Sequence, residues 1–312
     1  MPEERIFITG ATGCIGSAAF DWLRKNGYDD IVTFTRFGAI DTIESISGDI
    51  SDRTAVEKAV DRVKPTQIIH LAAFQTPDCQ ANPFQGMEIN VHGTNYLLQA
   101  AARLGSRLKR FVFASSAAVY GPRSFYPEET VTEVSGLQPP NLYGHWKVAG
   151  EGAVQAFHLE TDISAVSLRL ATTYGPGRDL GLTSAPTTAL KCAATGDDFA
   201  MPYVGREHYH FVEDVGAAFA ISAVAEFSGY DAFNLRGTTL ETTEFLSEIQ
   251  LASEKMGLPK SKITTAADAF PAPFVCDLDD AKIVSAFPDK PKTEIRDGVR
   301  QSLEFFATDP GG

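Results

Sequence analysis

The stretch RIFITGATGCIGSAAF, residues 5–20, sets three glycines, Gly10, Gly13 and Gly16, between a short apolar run and an amphipathic one. The first run reads as a strand and the second as a helix. In that setting each glycine has its own task. One lets the chain turn with positive φ, one lets backbone approach a pyrophosphate, and one lets the helix pack close to the strand. Phosphates would then meet the N–H groups and positive dipole end of a helix starting near Ile15. A chain with 26 glycines meets this spacing by chance often enough that the strand-to-helix context is what gives it weight.

Working outward, β-rich runs recur at 5–9, 31–35, 67–71, 109–114 and 163–170, separated by stretches of helical period at 15–26, 52–63, 86–104 and 141–160. Such alternation implies parallel crossovers and a buried sheet, so the fold class is α/β with a doubly wound parallel sheet. After residue 170 the rhythm breaks. The Gly- and Pro-rich TTYGPGRDLGLTSAP, 172–186, reads as a long loop of the kind that carries binding sites. A helix near 184–196, a strand around 208–212, a helix near 213–226, a strand at 231–235 and helices at 241–256 and 294–306 follow. This predicts a dinucleotide domain made of 1–170 plus about 211–235. A smaller substrate lobe is built from about 171–210 plus 236–312.

The net charge of −13 repels phosphate backbones and anionic lipid, which argues against nucleic-acid and membrane-surface partners. Four scattered cysteines without a C-x-x-C pair read as reduced thiols of a cytosolic protein. No segment reaches the roughly 18 uninterrupted apolar residues of a membrane helix, and the N-terminus has no signal-type stretch, so a cytoplasmic location is expected.

Two further features carry chemistry. Tyr143 and Lys147 share a helix face at i,i+4, where an ammonium favours the phenolate and brings a tyrosine toward general acid–base work. Taken alone, such a pair also suits a solvated surface. Ser115 and Ser116 end the strand-like FVFA, at the edge where open parallel sheets bind ligands. In sequence order, glycine loop, serine at a strand end and Tyr-x-x-x-Lys resemble the extended short-chain dehydrogenase/reductases, the NAD-dependent epimerase/dehydratase family. GDISD (48–52), HLAA (70–73), NVHGT (90–94), SSAAVYG (115–121), LYGHWK (142–147) and LR…TYGP (168–176) add to the likeness. The resemblance implies a Rossmann fold in which Ser116 orients the substrate oxygen, Tyr143 passes the proton, and Lys147 tunes Tyr143 and binds ribose. It implies a cofactor bed of Gly10, Gly13, Cys14, Ile15, Gly16, Thr35, Arg36, Asp49, Ile50, Leu71, Ala72, Ala73 and Asn90, together with Tyr143 and Lys147. Gln75, Ser115, Ser116, Tyr143, Thr172, Arg178 and His208 would face the substrate. It also implies a homodimer through helices near 86–104 and 141–160, where Tyr96, Leu97, Leu98, Val148 and Phe157 exceed the apolar needs of one face.

Departures from the family pattern narrow the chemistry. Ala117 and Ala118 stand where sugar dehydratases carry acids and some epimerases a thiol, and alanine moves no proton. Thr172 replaces a diphosphate-binding asparagine and Glu207 a diphosphate-binding arginine, with Arg206 one place off. A carboxylate beside a diphosphate is repulsive, so a small sugar, polyol or sugar acid fits better than a nucleotide sugar. His208 and His210 lack a third metal ligand, and no metal is expected. The second strand ends Thr35-Arg36 with no acid to accept the ribose 2′-OH, and Asp41 lies beyond a glycine. Arg36 suits a 2′-phosphate, which favours NADP over NAD. The expected function is an NAD(P)-dependent oxidoreductase acting on a secondary alcohol or ketone of a sugar-like substrate. The alternatives are a UDP-hexose 4-epimerase and a non-catalytic NAD(P)-sensing protein.

Overall fold

The computed structural model describes residues 4–38, 40 and 43–309. Among the described residues there are twelve strands: β1 (Ile6–Thr9), β2 (Ile31–Thr35), β3 (Glu44–Ser47), β4 (Gln67–His70), β5 (Arg110–Ala114), β6 (Ser164–Arg169), β7 (Thr172–Tyr174), β8 (Phe199–Val204), β9 (Arg206–Phe211), β10 (Tyr230–Asn234), β11 (Thr238–Glu241) and β12 (Ile263–Pro271). Seven form a parallel sheet in the order β10-β6-β5-β4-β1-β2-β3. Every residue of β1, β2, β4 and β5 is buried, as the unbroken apolar runs require when helices cover both faces.

The helices are α1 (Cys14–Lys25), α2 (Arg53–Val63), α3 (Thr76–Ala81), α4 (Pro83–Met87), α5 (Thr94–Ala102), α6 (Leu142–Thr161), α7 (Ala185–Thr195), α8 (Val212–Val224), α9 (Thr242–Met256), α10 (Ala281–Ala286) and α11 (Ile295–Thr308). One core gathers Ala19, Phe20 and Leu23 of α1 with Val215 and Phe219 of α8 on one sheet face. The other gathers Val56 and Val60 of α2, Leu97 and Leu98 of α5, and Val154 and Phe157 of α6. Leu97, Leu98 and Phe157 are thus consumed by the chain's own core, while Tyr96 and Val148 are half-buried. Arg110, buried at the start of β5, ties down the end of α8 by donating to the carbonyls of Ser222 and Phe227.

The lobe contains a three-stranded sheet, β11-β9-β7, and the pair β12-β8, packed with α7, α9 and α11 around Tyr174, Tyr209 and Phe245. The expected loop at 172–186 begins as β7, pairing with β9. The tail divides differently from expectation: Ile283 of α10 and Phe287 pack with Phe233 of β10 in the dinucleotide-domain core. The helix expected over 86–104 is continuous from α4 through a π-helical turn at 88–93 into α5. No helix among the described residues is long and apolar enough to cross a membrane.

Candidate active site

Strand order reverses between β1 and β4, the switch point beyond which open parallel sheets form their ligand crevice. The glycine loop lies there. Gly10 has φ +73°, and a Cβ on it would come within 2.8 Å of the Ala72 amide nitrogen. A Cβ on Gly16 would strike the Gly10 carbonyl at 2.3 Å, so helix and loop need glycine at both places. Gly13 caps α1 without any side-chain hydrogen bond, leaving the amides of Cys14 and Ile15 to serve an anion. Burial raises the Cys14 thiol, with the Arg178 charge partly offsetting it.

Between the ends of β1, β2 and β4 is a cavity of about 180 Å³ whose lining includes Gly10, Thr35, Arg36, Asp49, Ile50 and Ala72. Asp49 accepts hydrogen bonds from the Ser51 backbone and hydroxyl at 2.9 and 2.7 Å, with Arg36 3.5 Å away. Burial works against its carboxylate, but these donors and the Arg36 charge hold it below the usual range. The Arg36 guanidinium lies over the rings of Phe37 and Phe74, at 4.6 and 5.6 Å, on the cavity lip. Thr35 donates to the Phe37 carbonyl at 2.6 Å and so braces that lip. Asp41 lies outside the described residues. These groups fit an adenosine moiety, with a carboxylate for its polar edge and a cation for its ribose side.

The expected Ser-Tyr-Lys trio is assembled by the start of α6. Asn141 caps this helix through Gly144 N–H at 2.9 Å, and a Cβ on Gly144 would lie 2.2 Å from the Ala118 carbonyl. Only glycine permits that approach, which sets Tyr143 beside Ser116. Ser116 accepts from Ala118 N–H at 3.1 Å, fixing its hydroxyl in the 117–119 turn. Lys147 is buried, and its Nζ donates to the Ala114 carbonyl at 2.6 Å, 5.5 Å from the Tyr143 ring centre. Burial lowers Lys147 to about 8, with the Cys79 thiol and Glu151 pulling it back up. Against expectation Tyr143 is raised. Burial of the phenol is the leading cause, opposed by the Ser116 hydroxyl and the Arg178 charge. The Lys147 ammonium is turned to Ala114 rather than to the phenol, which accounts for the difference.

Ser115 is a correction. Its hydroxyl is buried and donates to Glu151, which forms a bidentate pair with Arg169 at 2.8 and 2.7 Å; it braces β5 and β6 and does not face the cleft. Asn90 clamps Phe74 from the π-helical turn, through Phe74 N–H at 2.8 Å and the Phe74 carbonyl at 2.9 Å. This holds the 71–74 bed in place.

Gln75 and Arg178 meet: Arg178 donates to Gln75 Oε1 at 2.8 Å and to Thr183, so the 175–184 segment reaches across to the β4 side. A Cβ on Gly177 would touch Cys14, which puts the same segment against the glycine loop. Thr172 and His208 are further corrections. Thr172 is buried and donates to Glu207, which also accepts from Tyr203 at 3.3 Å. Burial raises the Glu207 carboxyl to about 7, while its hydroxyl partners pull it down. His208 is buried with Nδ1 2.9 Å from Thr239 Oγ1, and His210 bridges the Arg236 carbonyl and Ala171 N–H. Among the described residues no group of three or more His, Cys, Asp or Glu is placed to hold a metal.

Burial lowers His70 to about 3, His210 to about 4 and His208 well below its ordinary value of 6.5. The unfolded chain therefore takes up protons below about 6.5 that the folded chain refuses. That stability is complete above 6.5 and is lost as pH falls toward 4, at up to about 1.4 kcal/mol per pH unit per ring. Glu207, raised, acts oppositely and loses its contribution as pH rises through about 7. Three rings outweigh one carboxyl, so calorimetry is expected to show the melting temperature dropping steeply between pH 6.5 and 4.5. A flat profile there would contradict the buried neutral imidazoles.

A Gly loop at the switch point, a cavity beside it and a Ser-Tyr-Lys group whose lysine is buried define a dinucleotide-dependent protein of the extended short-chain dehydrogenase/reductase class. The chain belongs to the NAD dependent epimerase/dehydratase family, whose profile matches residues 6–235. It is 27% identical over 320 residues to methionine adenosyltransferase 2 subunit beta of Mus musculus, spanning 99% of this chain and 90% of that one. The UDP-glucose 4-epimerase of Thermus thermophilus in complex with NAD superposes with a TM-score of 0.82 at 23% identity, covering 98% and 99% of the two chains. The L-threonine dehydrogenase of Clostridium difficile superposes at 0.83 with 19% identity, covering 99% of each. The family is NAD-dependent, and the two superposed structures are an epimerase in complex with NAD and a dehydrogenase.

Proposed function

We propose that this protein is an NAD(P)-dependent oxidoreductase that interconverts a secondary alcohol and a ketone on a small sugar-like molecule without a nucleotide handle. A bound nicotinamide supplies the hydride acceptor or donor. Tyr143 takes the proton from the substrate hydroxyl, or returns it to the carbonyl oxygen, while Ser116 hydrogen-bonds that same oxygen. Lys147, with its Nζ 5.5 Å from the Tyr143 ring centre, would bind the ribose.

The observation that carries the substrate class is that the arginines near the lobe are already engaged. Both terminal nitrogens of Arg206 bind Asp277, at 2.8 and 2.6 Å, and Arg178 is held by Gln75 and Thr183. Glu207 fills the remaining place with a carboxyl bound to Thr172. A diphosphate there would have to break one of these pairings and approach an acid. UDP added to the dinucleotide-loaded protein is therefore expected neither to raise the melting temperature nor to inhibit turnover. Inhibition at micromolar UDP would overturn this substrate class.

For the cofactor, the reading favours NADP(H), supported by Arg36 on the cavity lip. Arg36→Ala is expected to raise KM for NADP about tenfold and to leave that for NAD within about twofold, since only the 2′-phosphate gains a charge-assisted bond. An equal change for both dinucleotides in steady-state assays would count against it. The likeness to an epimerase supports a second reading, 4-epimerisation by the same trio with no net cofactor turnover.

A further inference from the structure

His70 ends β4, is 1% exposed, and places its ring nitrogens on two hydroxyls: Nδ1 2.7 Å from Thr9 Oγ1 and Nε2 3.0 Å from Thr94 Oγ1. The direction of each bond follows from where the Thr94 hydroxyl hydrogen goes. Thr94 spends its one hydrogen on the Asn90 carbonyl, so its Oγ1 accepts from the ring, while Thr9 Oγ1 accepts the Ala72 N–H at 3.2 Å and shares the Leu71 N–H with the Thr9 carbonyl, at 3.2 and 3.1 Å. Nδ1 is then the acceptor, the hydrogen of the neutral ring is on Nε2, and Nε2 donates to Thr94 Oγ1. Thr94 in turn donates to the Asn90 carbonyl at 2.8 Å. Asn90 closes the chain on Phe74 with two backbone bonds.

The 71–74 bed is thus held by Thr9 at one end and by Asn90 at the other, with one imidazole between them. It also touches the glycine loop, since Ala72 N is the atom nearest to a Cβ placed on Gly10. Three separate segments, the end of β1, the end of β4 and the π-helical turn, meet through the His70 ring, which takes one hydroxyl on each nitrogen.

We propose that His70 is a positioning residue for the dinucleotide: its Nε2-protonated ring couples the glycine-loop strand, the 71–74 bed and the Asn90 turn into one preformed binding surface. The proposal rests on the dinucleotide reading of the glycine loop and is independent of the substrate. A purely packing role is the rival account, since the ring lies 6.2 and 5.9 Å from those of Phe111 and Phe113. Packing alone would set stability and would not make Thr9 and Thr94 depend on each other.

The test is a double-mutant cycle, Thr9→Val, Thr94→Val and both together, read as the Kd for NAD and for NADP by calorimetry. Amide hydrogen exchange at Leu71, Ala72 and Phe74 accompanies it. Each single variant is expected to weaken binding about tenfold and the pair also only about tenfold, with faster exchange at all three amides. In a His70→Leu background the same changes are expected to have less than about twofold effect. His70→Gln, which keeps one acceptor and one donor, is expected to retain binding within about threefold. If His70→Leu does not fold, the cycle in the intact background and the exchange rates still decide. Single effects that multiply to about a hundredfold, or a fall in melting temperature with Kd unchanged, would overturn the coupling. Failure of the unaltered protein to bind either dinucleotide would overturn the dinucleotide reading itself, and the proposal with it.

Discussion

Tyr143→Phe is expected to cut kcat about a thousandfold while leaving dinucleotide affinity and melting temperature near those of the parent protein. The ring stays packed at the start of α6 and only the phenolic oxygen goes. General acid–base catalysis by one side chain is worth roughly a hundred- to ten-thousandfold. Its partners remain: Ser116 keeps its bond to Ala118 N–H and Lys147 its bond to the Ala114 carbonyl. KM is expected to change little, because the phenol acts mainly in the transition state. A variant that kept more than a tenth of the parent kcat would remove Tyr143 from the chemistry. A protein that never turned over with any alcohol, yet bound dinucleotide, would point instead to a binding role.

The largest expected loss of stability comes from Glu151, on the buried side of α6. Glu151 and Arg169 have side chains only 7% and 5% exposed, and the guanidinium also donates to Tyr120 Oη at 2.7 Å. Tyr120 passes the chain on to Asn234 of β10 at 2.8 Å, and Asn234 binds the Val131 and Asp279 carbonyls. Glu151→Ala leaves Arg169 buried without its counter-ion and Ser115 without its acceptor. Such a loss costs about 3–5 kcal/mol. Glu151→Leu combined with Arg169→Leu is expected to recover much of it, since no charge is then stranded. Urea titration of the single and double variants measures both values. A single-variant cost below about 1 kcal/mol would contradict a desolvated pair.

The parts of this fold that are legible in the sequence are those whose pattern has one physical meaning. IFIT, IVTFT and RFVFA are apolar on both faces and so belong inside a parallel sheet, and the glycine loop between the first strand and α1 marks the switch point. The edge strand ESIS is half-exposed and polar, and β12, ITTAADAFP, alternates too weakly to stand out from loop. The site is legible where a helix fixes the spacing, as for Tyr143 and Lys147. It is misleading where two like residues adjoin, because composition cannot say which of Ser115 and Ser116 turns inward. Thr172 is expected in the cleft, yet Glu207 on a strand 35 residues away draws its hydroxyl down. His70 and Arg169 carry a signal of their own, since a polar residue closing a buried apolar strand is a cue that it holds a neighbouring segment.

The central claim is net redox chemistry on an alcohol without a nucleotide handle. Its most direct measurement is absorbance at the nicotinamide band when the protein is given aldoses, polyols, sugar acids or UDP-hexoses with NAD and NADP side by side. The account predicts steady reduction of the dinucleotide, faster with NADP, for at least one free sugar-like alcohol and none for the UDP-hexoses. Interconversion of a UDP-hexose with its 4-epimer at constant absorbance would contradict it.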